Sequence, residues 1–126
     1  MVDVEKQIAH WREGAVEDLE AARSLMEKAH FRHALFFAHL AVEKILKAHV
    51  VRLTGEIPPK IHVLPRLAEL AKLNLPDPQK TFIARFDRYQ ITARYPDSPA
   101  PPIEPIRAQQ VMQSAEEVFG WLTERL

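Results

Sequence analysis

The sequence contains no cysteine, which excludes disulfide bonds, thiolate metal sites and a cysteine nucleophile. Only 3 glycines stand against 10 prolines, and so few glycines argue against hairpin-rich β structure and a glycine-rich phosphate loop. No apolar run approaches the roughly 18–20 residues that span a bilayer, and the first residues lack the basic and apolar regions of a signal peptide. These absences predict a cytoplasmic protein whose chemistry is built on helix faces and one proline-rich loop.

Helical spacing of apolar residues dominates the sequence. Its 126 residues, 47% of them hydrophobic, fit one globular domain over residues 1–126. Apolar side chains recur every three or four positions, which predicts helices over residues 4–28, 31–53, 65–73, 78–91 and 105–126, with Asp77 as a helix cap. The prolines of residues 95–105 predict a non-helical segment. We therefore predict an all-α fold, an antiparallel up-and-down bundle of four long helices plus one short helix.

The second predicted helix is apolar on almost every side. Residues 34–38 read Ala-Leu-Phe-Phe-Ala, and the apolar trend continues through Val51. A helix of this kind is buried on more than one face. In so short a chain we expect the second covering surface to be another copy of the protein, which predicts a homodimer.

Charge is balanced overall but unevenly distributed. Basic and acidic residues number 17 each, so the formal net charge is +0. Residues 31–94 hold 11 basic and 5 acidic residues, a net charge of +6, whereas residues 1–30 and 95–126 each carry −3. A basic middle segment can present a local phosphate-binding surface on a neutral protein, although a solvated face with ion pairs gives the same count.

A polar stripe runs along the second helix. At 100° per residue, one narrow face holds Arg32, His39, Glu43 and Lys47, with His33 and Lys44 on its flank. Such a stripe is either an ordinary wet face or one wall of an anion-binding cleft.

Arginine and tyrosine alternate near the end of the fourth helix. The cluster comprises Arg85, Asp87, Arg88, Tyr89, Arg94, Tyr95 and Asp97. Arginine donates bidentate hydrogen bonds to phosphate, and tyrosine can stack on a base. The same residues could instead complement the helix end and pack on the bundle. His62, just before the short helix, could cap that helix, bind an anion or transfer protons.

Four landmarks together resemble the HEPN domain family. The octapeptide of residues 41–48, Ala-Val-Glu-Lys-Ile-Leu-Lys-Ala, is similar to the family's A-x-E-K-x-L-K-A helix. The other landmarks follow the family order: Trp11…Ala15…Asp18-Leu19…Ala22, then His62-x-Leu64, then Arg94-Tyr95-Pro96-Asp97. By this resemblance, the matching functional positions are Glu43, Lys44, Lys47, His62, Arg94, Tyr95 and Asp97.

The resemblance implies a helical bundle that forms a homodimer and binds a nucleotide or RNA phosphate in a basic cleft between helices or between the two protomers. It also implies a minimal nucleotidyltransferase as partner in a toxin–antitoxin pair. No cofactor is expected, and the residues predict no metal site, because no third ligand of suitable spacing joins His30 and His33. On this interpretation Arg85, Arg88 and Arg94 contact phosphate, Tyr89 or Tyr95 stacks, and the cleft is lined by Lys44, Lys47 and His62.

Two alternatives stay open at this point. Many family members are metal-independent ribonucleases with an Arg-x(4–6)-His pattern late in the bundle, but this chain has no histidine after His62. A ribonuclease would have to use His62 or His39 as the acid–base group, with Arg88 and Tyr95 as further catalytic candidates. The other alternative is an interaction module that binds no ligand.

Overall fold

Five α-helices form the fold in the computed structural model, which describes residues 2–94 and 102–126 and, for residues 91–94, only the backbone. The helices are α1 (Val4–Glu27), α2 (Phe31–Thr54), α3 (Leu64–Leu70), α4 (Asp77–Arg94) and α5 (Pro105–Glu124). The described part of the chain contains no β-strand. The predicted all-α bundle of four long helices and one short helix is therefore confirmed.

Backbone chemistry explains where the helices begin and end. The Asp3 carboxylate caps α1 by accepting the Lys6 N–H at 3.2 Å, and Gly55 closes α2 in the left-handed conformation at φ 70°. α3 ends at Leu70, earlier than the apolar spacing predicts, because the chain turns at Lys72, which has φ 53°. A non-glycine residue at positive φ leaves no signal that helical periodicity can detect.

The beginning of α4 differs by one residue from the prediction. The sequence predicts Asp77 as the cap, but Asp77 is the first helical residue, and the Pro76 carbonyl accepts the Lys80 N–H at 2.9 Å. In its first-turn position the Asp77 carboxylate still complements the positive end of the helix dipole. Of the predicted non-helical segment, residues 102–104 are non-helical and residues 95–101 lie outside the described residues.

α2 is the central helix of the bundle. It contacts all four of the other helices, and from Ala34 to Val51 most of its side chains are buried. Most of its apolar circumference is therefore covered within one chain, whereas Phe36, Phe37 and Leu40 are half-buried. The second copy expected from the sequence stays a prediction. None of the helices in the described residues is long and apolar enough to cross a membrane.

His49 is a buried polar group at the junction of α2 and α5. It lies on α2, and its Nε2–H donates to the Leu122 carbonyl oxygen at 2.7 Å. Burial lowers the pKa of His49 below its ordinary 6.5; the Leu122 carbonyl opposes this shift and the nearby Arg52 adds to it. The folded protein therefore holds His49 neutral at pH values where the unfolded chain protonates it.

We expect His49 to make the fold sensitive to mild acid. Because the unfolded state binds the extra proton, the free energy of unfolding should decrease as pH falls below about 6.5, by up to about 1.4 kcal/mol per pH unit from this group. Urea unfolding gives the free energy of unfolding of the wild type and of His49→Gln at pH 7.5 and at pH 5.5. The wild type should lose more of this free energy between the two pH values than His49→Gln does. The exposed His10→Gln is the control, and a His49→Gln variant that loses as much stability in acid as the wild type would contradict the assignment.

Candidate functional site

α4 presents two chemically different faces. Ile83 and Phe86 are buried, and Asp87 points toward α2, where its Oδ1 lies 2.7 Å from His39 Nε2. Arg85 and Arg88 are exposed. At 100° per residue Arg85 lies about 200° from Asp87. The helix therefore directs the Asp87 carboxylate toward α2 and the Arg85 guanidinium toward the opposite, exposed side.

A groove between α4 and α5 collects three arginines. It has a volume of about 390 Å³ and is lined by Pro78, Thr81, Phe82, Arg85, Phe86, Arg88, Tyr89, Arg107 and Val111. We call it the arginine groove. Its lining contains no acidic side chain among the described residues. A cluster of cations produces a locally positive potential, which attracts anions.

Two of the three arginines have few competing partners. Arg85 makes no ion pair with any residue in the described part of the chain. Arg107 Nη1 reaches the Gln110 Oε1 atom at 3.5 Å, the limit of a hydrogen bond. Both side chains are exposed, so their donors can turn toward a ligand in the groove.

Aromatic rings form one wall of the arginine groove. The centroids of Phe82 and Phe86 lie 4.7 Å apart, and those of Phe86 and Tyr89 lie 5.9 Å apart. Phe86 is completely buried, whereas Phe82 and Tyr89 are partly exposed. A base can stack on partly exposed rings of this kind, and the neighbouring arginines can then reach its phosphate.

A second group of polar residues lies between α2, α4 and the segment before α3. We call it the polar cluster, and it consists of His39, Glu43, Lys47, His62 and Asp87. Glu43 Oε2 accepts from Lys47 Nζ at 3.1 Å, and both Glu43 oxygens lie within 3.2 Å of His62 Nδ1. His39 Nδ1 lies 4.0 Å from Glu43 Oε1. Carboxylates thus alternate with cationic or imidazole groups across the cluster.

The polar stripe of α2 is not the wet face considered from the sequence. His39, Glu43 and Lys47 are only 0%, 4% and 5% exposed. Buried charges are tolerated where they pair with one another, and Lys47 additionally lies 5.4 Å from the centroid of the Trp11 ring. Of the residues in this stripe and on its flank, only Arg32 and His33, at the start of α2, are exposed.

The predicted site residues therefore divide into separate groups. Arg85, Arg88 and Tyr89 share the arginine groove, as their spacing predicts. Lys47 and His62 belong to the polar cluster, and Lys44 pairs with Asp18 of α1 at 2.8 Å. None of these last three predicted cleft residues lines the arginine groove.

Three predicted positions lie at the boundary of the described structure. Arg94 ends α4, but its side chain is outside the described residues, as are Tyr95 and Asp97. Their predicted roles stay predictions.

Arg107 is the functional candidate that sequence reasoning missed. It lies in the first turn of α5, directly after the prolines, and it joins the groove only because α5 packs beside α4. One sequence signal is that Arg107 is one of only two basic residues in the net acidic segment 95–126. This charge does not show which residues lie beside Arg107 in the fold, so the groove could not be inferred from the sequence.

His62 does not cap the short helix. The cap position of α3 belongs to Val63, which makes no side-chain cap. Instead the Leu64 N–H, in the first turn, donates to Asp87 Oδ1 at 3.3 Å. The carboxylate of α4 thus satisfies an unpaired amide at the beginning of α3, while the imidazole of His62 turns to Glu43.

The ribonuclease alternative needs a histidine beside the arginines. His39 is completely buried and bonded to Asp87, and neither His39 nor His62 lines the arginine groove. The geometry therefore does not favour either histidine as the acid–base partner of these arginines.

Comparisons with known proteins agree with this architecture. The sequence over residues 8–126 matches the family model described as HEPN domain. The structure is similar to the crystal structure of TT1696 from Thermus thermophilus, with a TM-score of 0.80 and 26% identity over 95% of this chain and 98% of that one. It is also similar to ST0689, an archaeal HEPN homologue, with a TM-score of 0.72 and 22% identity over 99% and 98% of the two chains. No curated protein matches the sequence.

Proposed function

The chain belongs to the HEPN domain family, and from that membership together with the arginine groove we propose that it binds the phosphate of a nucleotide or RNA between α4 and α5. Arg85, Arg88 and Arg107 hold the phosphate, and Tyr89 stacks on or hydrogen-bonds to the ligand. As partners we propose a second copy of the chain and a minimal nucleotidyltransferase in a toxin–antitoxin-like pair. These two partners rest on the family alone.

The observation that carries the proposal is the meeting of three arginines from two helices in one groove. Each guanidinium offers a planar fork of donors that matches two phosphate oxygens. Because Arg85 and Arg107 make no ion pair within the described residues, an anion meets no acidic competitor there for their donors. A binding site of this kind is expected to weaken as salt concentration increases.

The groove also has a suitable size and polarity for a nucleotide. Its volume of about 390 Å³ lies within the range of about 300–1,000 Å³ of small-ligand sites. The aromatic wall offers a stacking surface at one side and the arginines offer donors, so base and phosphate can be held together. Recognition by stacking tolerates any base, so we expect little sequence preference.

Binding of a fluorescent single-stranded RNA tests the proposal. We expect measurable affinity by fluorescence anisotropy, and we expect the double variant Arg85→Ala/Arg107→Ala to weaken it by about 100-fold, since one charge-assisted contact contributes about tenfold or more. The slope of log K against log salt concentration should also become shallower by about 0.7 for each phosphate that the variant no longer neutralises.

The matched control is Arg12→Ala, which removes an exposed arginine from α1, away from the groove. It should leave both affinity and salt slope close to those of the wild type. Circular dichroism confirms that each variant is folded. If the double variant binds RNA and nucleotides as the wild type does, or if the wild type binds neither, the groove is not a phosphate site and the interaction-module alternative gains support.

A further inference from the structure

We propose that His62 is a nucleophilic histidine that accepts a phosphoryl group at Nε2 from a small anionic donor. This site belongs to the polar cluster and is separate from the arginine groove, so it does not depend on phosphate binding there. Its essential elements are an accessible imidazole and a buried carboxylate that holds it from behind.

Glu43 orients the imidazole of His62. The carboxylate of Glu43 is 4% exposed, and its two oxygens lie 3.1 and 3.2 Å from His62 Nδ1. A carboxylate only accepts hydrogen bonds, so Nδ1 carries a proton, and in the neutral ring Nε2 therefore presents its lone pair. A buried carboxylate behind an imidazole is the arrangement that directs histidine bases in nucleophilic catalysis.

The reactive side of His62 is open. The side chain is 48% exposed, and Nε2 makes no hydrogen bond within the described residues. His39, the other histidine of the polar cluster, is completely buried and engages Asp87 through its own Nε2. Of these two histidines, only His62 therefore combines a carboxylate partner with a ring nitrogen that a reagent can reach.

Both partners of this pair are held in position. Lys47 Nζ donates to Glu43 Oε2 at 3.1 Å, which fixes the position of the carboxylate. The backbone next to His62 is anchored where the Leu64 N–H donates to Asp87. An imidazole fixed in this way loses little conformational entropy on reaction, whereas a surface histidine without such contacts must first be ordered.

The phosphoryl transfer can be written as a balanced step. The Nε2 lone pair attacks phosphorus and forms the N–P bond, while the bond from phosphorus to the leaving group breaks and that group takes the bonding electron pair. The ring becomes positively charged with its proton still on Nδ1. The Glu43 carboxylate stabilises this charge as it develops, because it faces that N–H directly.

An anionic donor suits the surroundings of His62. Lys60 and Arg66 are exposed on either side of His62 in the sequence; Lys60 makes no ion pair within the described residues, and Arg66 lies 3.5 Å from Glu69. A basic surface concentrates small phosphorylated anions. The donor class is therefore a small molecule with a labile bond to phosphorus, such as an acyl phosphate or a phosphoramidate.

Phosphoramidate, which releases ammonia when it phosphorylates histidine, serves as the probe. The full chain is incubated with it and digested with trypsin, which isolates His62 in the peptide of residues 61–66. Mass spectrometry under alkaline conditions then follows phosphohistidine at each site. We expect His62 to be labelled about tenfold or more faster than the exposed His30 and His33, which have no carboxylate partner among the described residues.

Glu43→Gln is the diagnostic variant and the exposed Glu20→Gln is its matched control. The first should remove the rate advantage of His62, and the second should leave it unchanged. Equal labelling of His62, His30 and His33 in the wild type would overturn the proposal, as would an undiminished advantage in folded Glu43→Gln. If Glu43→Gln does not fold, the comparison within the wild type decides, since all of its histidines share one sample. RNA binding by the arginine groove is measured separately, so either proposal can fail alone.

Discussion

Replacing Glu43 by leucine is expected to lower the free energy of unfolding by about 3–5 kcal/mol, because it leaves the Lys47 ammonium buried without its partner. Lys47 is 5% exposed and its Nζ bonds Glu43 Oε2 at 3.1 Å. The change also removes the acceptor of the His62 imidazole. Chemical denaturation followed by circular dichroism measures the loss.

The double variant Glu43→Leu/Lys47→Met separates the cost of an unpaired charge from the value of the pair. Apolar residues of similar volume can replace a buried ion pair at little or no cost, so we expect the double variant to recover most of the stability lost in Glu43→Leu. Lys44→Ala is the comparison on the same helix, because the Lys44–Asp18 pair is more exposed and should contribute less. A double variant as unstable as Glu43→Leu would mean that other contacts of Glu43 dominate.

Replacing Phe86 by alanine should cost a similar amount, about 3–5 kcal/mol, through the cavity it leaves. Phe86 is completely buried in α4, and its ring contacts His39 at 5.4 Å, Phe82 at 4.7 Å and Tyr89 at 5.9 Å between centroids. It therefore joins the polar cluster to the aromatic wall of the arginine groove. Thermal and urea unfolding both report the loss of stability.

Phe86→Leu is the control, since it retains most of the apolar volume and should cost less than half as much. Ala84→Gly, at an exposed position of α4, tests how far helix propensity alone contributes, at about 1 kcal/mol. A Phe86→Ala protein with the stability of the Phe86→Leu protein would show that the surrounding side chains collapse into the space. The ring would then not be a structural wall of the groove.

Much of the candidate site could be predicted at the level of single helices. Arg85, Arg88 and Tyr89 are close in the sequence, so helical geometry alone places them near one another. The α2 stripe is also correctly predicted to lie on one face, because within a helix the position of a residue fixes the direction of its side chain. Its surroundings could not be predicted, since the same stripe suits water, a cleft or, as found, a carboxylate and imidazoles brought by α4 and the segment before α3.

The apolar character of α2 does not by itself require a second copy, because the sequence of a helix does not show its surroundings. An apolar circumference shows that a helix is covered but does not show what covers it. Four helices of the same chain cover α2. The homodimer stays a prediction.

The five helices and their order follow from local sequence, because caps, turns and apolar periodicity act between residues three or four positions apart. The family follows from the motif resemblance. Helix packing brings Arg107 of α5 to Arg85 and Arg88 of α4, and it places His62 against Glu43. These pairs are remote along the chain, and only the packing of one helix against another sets the distance between them. Burial follows from the same packing, and it is burial that changed the α2 stripe from an expected wet face into the polar cluster.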